Sequence, residues 1–92
     1  MILVKIHKSV DSYIVCLCDS NLIGKKFVEG GLNLNVSKRF YGGGEFGEKS
    51  ISIIKESNNL NVVGEESVKL VKKYKKIDKV IKIKKIPHAI VI

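Results

Sequence analysis

The sequence predicts one small α+β domain, with a mixed, mainly antiparallel sheet and about three short helices on one side of it. Three observations carry that expectation. Alternating apolar stretches recur along the chain, and segments with helical apolar spacing stand between them. The length of 92 residues leaves room for a modest core and no second domain. A hydrophobic content of 45% is that of a folding chain rather than a disordered one.

MILVKIHK alternates Ile2, Val4 and Ile6 against Leu3, Lys5 and His7, and YIVCLCD follows after SVDS, so the chain opens as a β-hairpin. Asp19 or Ser20 then caps a short helical turn over NLIGKKF; EGG ends it, and LNLNVS alternates as a third strand. SKRFYGGGEFGEK is expected to be a glycine-rich loop with Phe40 and Tyr41 at the strand end, where alternation puts one ring inside and one near the surface. EKSISIIKES has Ile51, Ile54 and Ser57 at helical spacing, and NLNVVG reads as a strand. GEESVKLVKKYKKI begins with Gly64 and two carboxylates that suit a helix N-terminus, then carries Val68, Val71, Tyr74 and Ile77 on one face. KVIKIKKIPHAIVI alternates Ile81 and Ile83 against Lys82 and Lys84 as a half-buried strand. Pro87 must break its ladder or sit at an edge, and AIVI returns as a last short strand.

The charge is local. Between Lys69 and Lys85 stand nine lysines and one acid, Asp78, whereas the rest of the chain holds eight bases and eight acids. The whole net charge of +8 thus comes from one window. On a helical wheel over 65–76, Lys69, Lys72, Lys73 and Lys76 share an arc opposite Val71 and Tyr74. If that helix lies beside the following strand, its lysines join Lys82 and Lys84 in one basic surface. A lysine face can also be merely solvated, but networks built for stability alternate Glu with Lys, and here only Asp78 interrupts. Sixteen lysines against one arginine point to backbone or shape recognition of a polyanion, because lysine is a point charge without the planar fork that reads base edges.

Other chemistries find less support. GGGEFGEKS has the glycines, Lys49 and Ser50 of a phosphate loop, but Glu48 stands where the motif needs glycine, and Glu45 adds a second repelling charge. Read as a contact loop, Lys38, Arg39, Phe40 and Tyr41 offer cations and rings on which unpaired bases can stack. Cys16 and Cys18, two apart on a strand, suit neither a relaxed disulfide nor a zinc knuckle, and no bound metal or cofactor is expected. A reducing cytoplasm is the setting such cysteines fit. No secretory leader is visible, and the longest apolar run, IVCLC, is far too short to span a membrane. The carboxylates are scattered, so no catalytic pair is predicted.

LIGKKFVEGGLNLNVSKRFYGGG, NVVGEE and IPHAIV, taken in order, resemble the small archaeal family known as domain of unknown function 424. Its members carry similar Phe-Tyr-Gly-Gly, Asn-x-Val-Gly-Glu and Pro-His-Ala elements, which match Phe40, Tyr41, Gly42, Gly43, Asn61, Gly64, Glu65 and His88 here. Gly44 is an extra glycine beside that pattern. The resemblance implies a small cytoplasmic archaeal protein that binds RNA.

The expectation is therefore a non-enzymatic protein that holds structured RNA, rRNA or tRNA, through Lys69, Lys72, Lys73, Lys76, Lys82 and Lys84, in the company of ribosomal or translation-factor proteins. Lys38, Arg39, Phe40 and Tyr41 supply a second contact. The rivals are an adaptor that binds protein through the Phe-Tyr-Gly-Gly loop, and a small hydrolase built on His88.

Overall fold

The structure, a computed structural model describing all 92 residues, has the expected α+β class. In chain order its elements are β1 (Ile2–Lys8), β2 (Tyr13–Asp19), β3 (Lys26–Glu29), β4 (Leu32–Asn35), α1 (Lys38–Tyr41), β5 (Gly44–Glu45), α2 (Glu48–Glu56), β6 (Leu60–Val63), α3 (Glu65–Lys72), β7 (Ile81–Ile83) and β8 (Ile86–Val91). Six strands form one sheet in the order β5-β1-β2-β6-β8-β7, antiparallel throughout except for the β2–β6 pair. The remaining pair, β3 and β4, forms a separate two-stranded sheet.

Strand β2 is central and covered on both faces, which is why Val15 to Asp19 are all buried without alternation. Val15 and Leu17 face one cluster with Leu60, Val62 and Ala89, closed by Ile54 of α2 and Val68 and Val71 of α3. Cys16 and Cys18 face a second cluster with Val63, Ile83, Leu34 and Val36, closed by Tyr41 of α1. The sheet is therefore covered by α2 and α3 on one side and by α1 with the β3–β4 hairpin on the other. In this respect α1 departs from the expected one-sided arrangement. No helix is long and apolar enough to cross a membrane.

Several local expectations are corrected. NLIGKKF is not a helix: only Ser20–Leu22 makes a 3₁₀ turn, and Lys26 onward is strand. The reason is the Gly30–Gly31 pair, whose φ values of 53° and 87° form the two-residue turn that folds β3 onto β4. Phe40 and Tyr41 lie not at a strand end but on the single turn of α1, capped by the Ser37 hydroxyl, which accepts from the Phe40 N–H at 3.2 Å. Gly43 after it is obligatory, since any Cβ there would strike the Val4 carbonyl. Pro87 lies inside β8, opposite Lys82 of the edge strand β7, with its backbone turned to the end of β6, where its carbonyl accepts from the Gly64 N–H at 2.9 Å, one residue before the β8–β6 pairing begins at Val63↔His88.

Lys84 is not in the strand either. With Lys85 it forms the two-residue β7–β8 turn, and both lysines have positive φ, 51° and 68°, a conformation that favours Asn and Gly. The double variant Lys84→Asn with Lys85→Gly supplies the residue types such a turn prefers. It is expected to gain about 1 kcal/mol, read as a rise in the unfolding midpoint. A fall in the midpoint would contradict the turn assignment.

Candidate nucleic-acid interface

The lysines of α3 and of β7 do meet. Packing of α3 across β6 and β8 brings Lys69 and Lys72 beside Lys82, and the three line one cleft of about 280 Å³ with Val68, Val80 and Pro87 at its apolar base. Glu65, in the first turn of α3, is the one carboxylate at its rim. The helix ends at Lys72, earlier than the expected 65–76, so Lys73 stands in the turn that follows and Lys76 beyond it, both exposed. Of the nine lysines in the window only Lys76 has an ion pair, to Asp78 at 3.6 Å, with both partners more than four-fifths exposed. Such a pair holds little charge in place. Lys84, at the turn, donates its backbone N–H to Glu29 at 3.0 Å, which ties this end of the surface to β3.

The second expected contact does not join the first. Because α1 and α3 lie on opposite faces of the sheet, Lys38, Arg39 and Phe40 are separated from the cleft by the sheet itself. Lys38 and Arg39 are exposed, but Tyr41 is only 4% exposed and offers no free ring face to a base. Phe40 is half-buried and stacked on His7, with ring centroids 4.6 Å apart and the planes inclined by 15°; His7 Nε2 also bonds the Phe40 carbonyl at 2.8 Å.

What Tyr41 does instead is polar. Its hydroxyl donates to Asn61 Oδ1 at 2.9 Å, and His88 Nε2 meets the same oxygen at 2.9 Å. A carbonyl oxygen only accepts, so both partners donate, which places the His88 proton on Nε2. The three stretches that carry the family resemblance thus converge: Tyr41 from α1, Asn61 from β6 and His88 from β8. Burial pushes the Tyr41 hydroxyl up to about 12. Burial likewise drives Cys16 to about 11, against a small opposing pull from Lys5. Cys18 goes to about 12, by burial first and then by the charges of Asp19 and Cys16. These are neutral, unreactive groups at ordinary pH. No three His, Cys, Asp or Glu side chains lie together as a metal ion requires.

Burial lowers the His88 pKa below the ordinary 6.5. Between that value and the lower folded one the unfolded chain binds the proton that the folded protein refuses, so the stability present above pH 6.5 is lost as pH falls through this window. The midpoint of unfolding is expected to drop on acidification from pH 6.5, and a His88→Gln variant, neutral at every pH, should lose that portion of the drop. An unchanged profile in the variant would contradict it.

Gly64 and Glu65, two further family positions, stand at the start of α3. Gly64 has φ 106°, and any Cβ on it would collide with the Asp19 carboxylate. That carboxylate accepts from the backbone N–H of Ser67 at 2.8 Å, from the Ser67 hydroxyl at 2.6 Å and from the Glu66 N–H at 3.2 Å. Asp19 therefore caps α3 from across the fold and makes no side-chain cap for the turn beside it, contrary to the sequence reading. A cap supplied from 47 residues away leaves no local sequence signal.

The family model described as protein of unknown function (DUF424) matches residues 7–92. The fold is similar to that of an uncharacterized conserved protein from Methanopyrus kandleri, solved by crystallography, with a TM-score of 0.77 and 24% identity over 98% of this chain and 89% of that one. No curated protein matches. With nearly its whole length matched by one family model, the chain belongs to the DUF424 family.

Proposed function

We propose that this protein is a non-enzymatic RNA-binding module that holds structured RNA, rRNA or tRNA, by its phosphates in the Lys69–Lys72–Lys82 cleft, with Lys73, Lys76 and Lys84 extending the contact. The observation that carries the reading is that Lys69, Lys72 and Lys82 line one cleft and that the nine lysines of the 69–85 window have a single ion pair among them. A surface arranged for stability would have paired them. Uncompensated ammonium groups along a cleft and its margins are what a phosphate chain neutralises, releasing its condensed counterions. An archaeal, cytoplasmic, translation-related setting beside ribosomal or translation-factor proteins is part of this proposal.

The adaptor reading draws less from the geometry, since Tyr41 is buried and Gly43 is packed against Val4 of β1. The hydrolase reading needs a carboxylate on His88, and the side chain bonded to His88 is the Asn61 amide. The test is fluorescence anisotropy on structured RNA, single-stranded RNA and duplex DNA across a salt series. If about four to six lysines meet phosphates, log affinity falls against log salt with a slope of roughly −3 to −5. A flat response overturns the proposal.

A further inference from the structure

We infer that Asn61 and His88, flanked by Ile81 and Ile90, form a subsite for one unpaired base of the bound RNA; the inference rests on the RNA-binding reading above. Asn61↔Ile90 and Ile81↔His88 are register partners, and His88 and Ile90 are two apart on β8, so all four side chains project from the same face of the sheet. Tyr41 of α1 reaches Asn61, while Ile81 and Ile90 beyond it are exposed. Asn61 lines a recess of about 250 Å³ with Ile14 and Ile90, and His88 a smaller one of about 100 Å³ with Lys79, Ile81 and Ile90. Ile90 belongs to both and is 58% exposed.

The polar chemistry of this floor is specific in kind. Asn61 Oδ1 is consumed by Tyr41 and His88, which fixes the amide and leaves its Nδ2 as a donor with no protein partner. Nε2 of His88 is consumed as well, leaving Nδ1 as an acceptor. Neither free atom is sealed from solvent, because no buried side-chain nitrogen or oxygen lacks a partner. The lowered His88 pKa keeps Nδ1 unprotonated near neutral pH. A donor on Asn61 and an acceptor on the far side of the His88 ring, set on one sheet face among aliphatic side chains, can each meet a polar group of an unpaired base.

Charge selects the occupant. Residues of the edge strand and of the segment leading into it alternate between faces: Val80 and Lys82 line the basic cleft, while Lys79 and Ile81 line the His88 recess. A phosphate chain held at Lys69, Lys72 and Lys82 has one edge strand to cross before it reaches His88, and Lys79 stands there to meet the next phosphate. A second copy of this chain would bring another +8 to the same edge and be repelled.

The test is NMR on the labelled full-length chain, titrated with a short single-stranded RNA and separately with an abasic ribose-phosphate oligomer of equal length. The RNA should shift the Asn61 side-chain amide and the Ile81 and Ile90 methyl signals, the abasic oligomer should not, and both should shift Lys69, Lys72 and Lys82. Ile90→Ser, at an exposed position that does not endanger folding, should weaken the RNA about fivefold and leave the abasic oligomer unchanged. Lysine shifts without any response at Asn61, or equal responses to both oligomers, overturn the base subsite while leaving RNA binding intact. No response to either oligomer overturns the base subsite, and no response to a structured RNA in the same titration overturns the RNA-binding reading as well. Shifts at Ile90 that follow the chain's own concentration, or that answer an extended apolar peptide and not RNA, would make this a protein-docking face and also overturn the inference.

Discussion

The Gly64→Ala protein is expected to unfold roughly 15 °C below the parent, the consequence of about 3 kcal/mol lost at one atom's addition. Two costs combine. At φ 106° a Cβ is strained wherever it points, at on the order of 1–3 kcal/mol. It also points into the Asp19 carboxylate, so the carboxylate must leave and release the N–H groups of Glu66 and Ser67 and the Ser67 hydroxyl. Losing a helix cap costs about 1 kcal/mol by itself. Because both substitutions break one arrangement, the double variant with Asp19→Ala should fall by less than the sum of the singles. Thermal unfolding followed by circular dichroism reads all three; a loss in Gly64→Ala below about 1 kcal/mol would contradict the shared cap.

The largest effect on binding is expected from reversing the charge of the cleft. Lys69→Glu, Lys72→Glu and Lys82→Glu together should weaken structured RNA by about a thousandfold at physiological salt, since three phosphate contacts become three repulsions. All three side chains are exposed, so the unfolding midpoint should barely move. The same reversal at Lys5, Lys8 and Lys49, far from the cleft, changes the net charge equally and serves as the control. Equal losses in both variants would mean that total charge, and not this surface, governs binding.

How much of this was legible in the sequence follows from how local each cause is. The β1–β2 hairpin, α2, β6 and the lysine face of α3 were visible because their apolar periodicity lies within the element itself. The β3 strand was not: KKFVE is too short for its alternation to outweigh a capped helical start, and Gly30 and Gly31 serve a helix stop as well as a hairpin turn. The β7–β8 turn was hidden because two lysines occupy backbone positions that normally announce themselves with Asn and Gly.

The site divides in the same way. The union of Lys69, Lys72 and Lys82 was anticipated from two adjacent amphipathic segments, whereas Lys79 was only one of the charges in the window. Its place beside His88 emerges only from the fold. The Tyr41–Asn61–His88 contact joins residues 20 and 27 positions apart, and no spacing rule predicts such a meeting. Arg39 and Phe40 lie on the opposite side of the sheet from the cleft, a fact of topology that the stretch SKRFY cannot carry.

The most direct test of the central claim is the salt dependence of binding to one structured RNA, measured for the parent and for a Lys69→Gln, Lys72→Gln, Lys82→Gln variant. If these three lysines each neutralise a phosphate, the slope of log affinity against log salt becomes shallower by about three in the variant. An unchanged slope would show that phosphates are met elsewhere and that the cleft is only solvated charge.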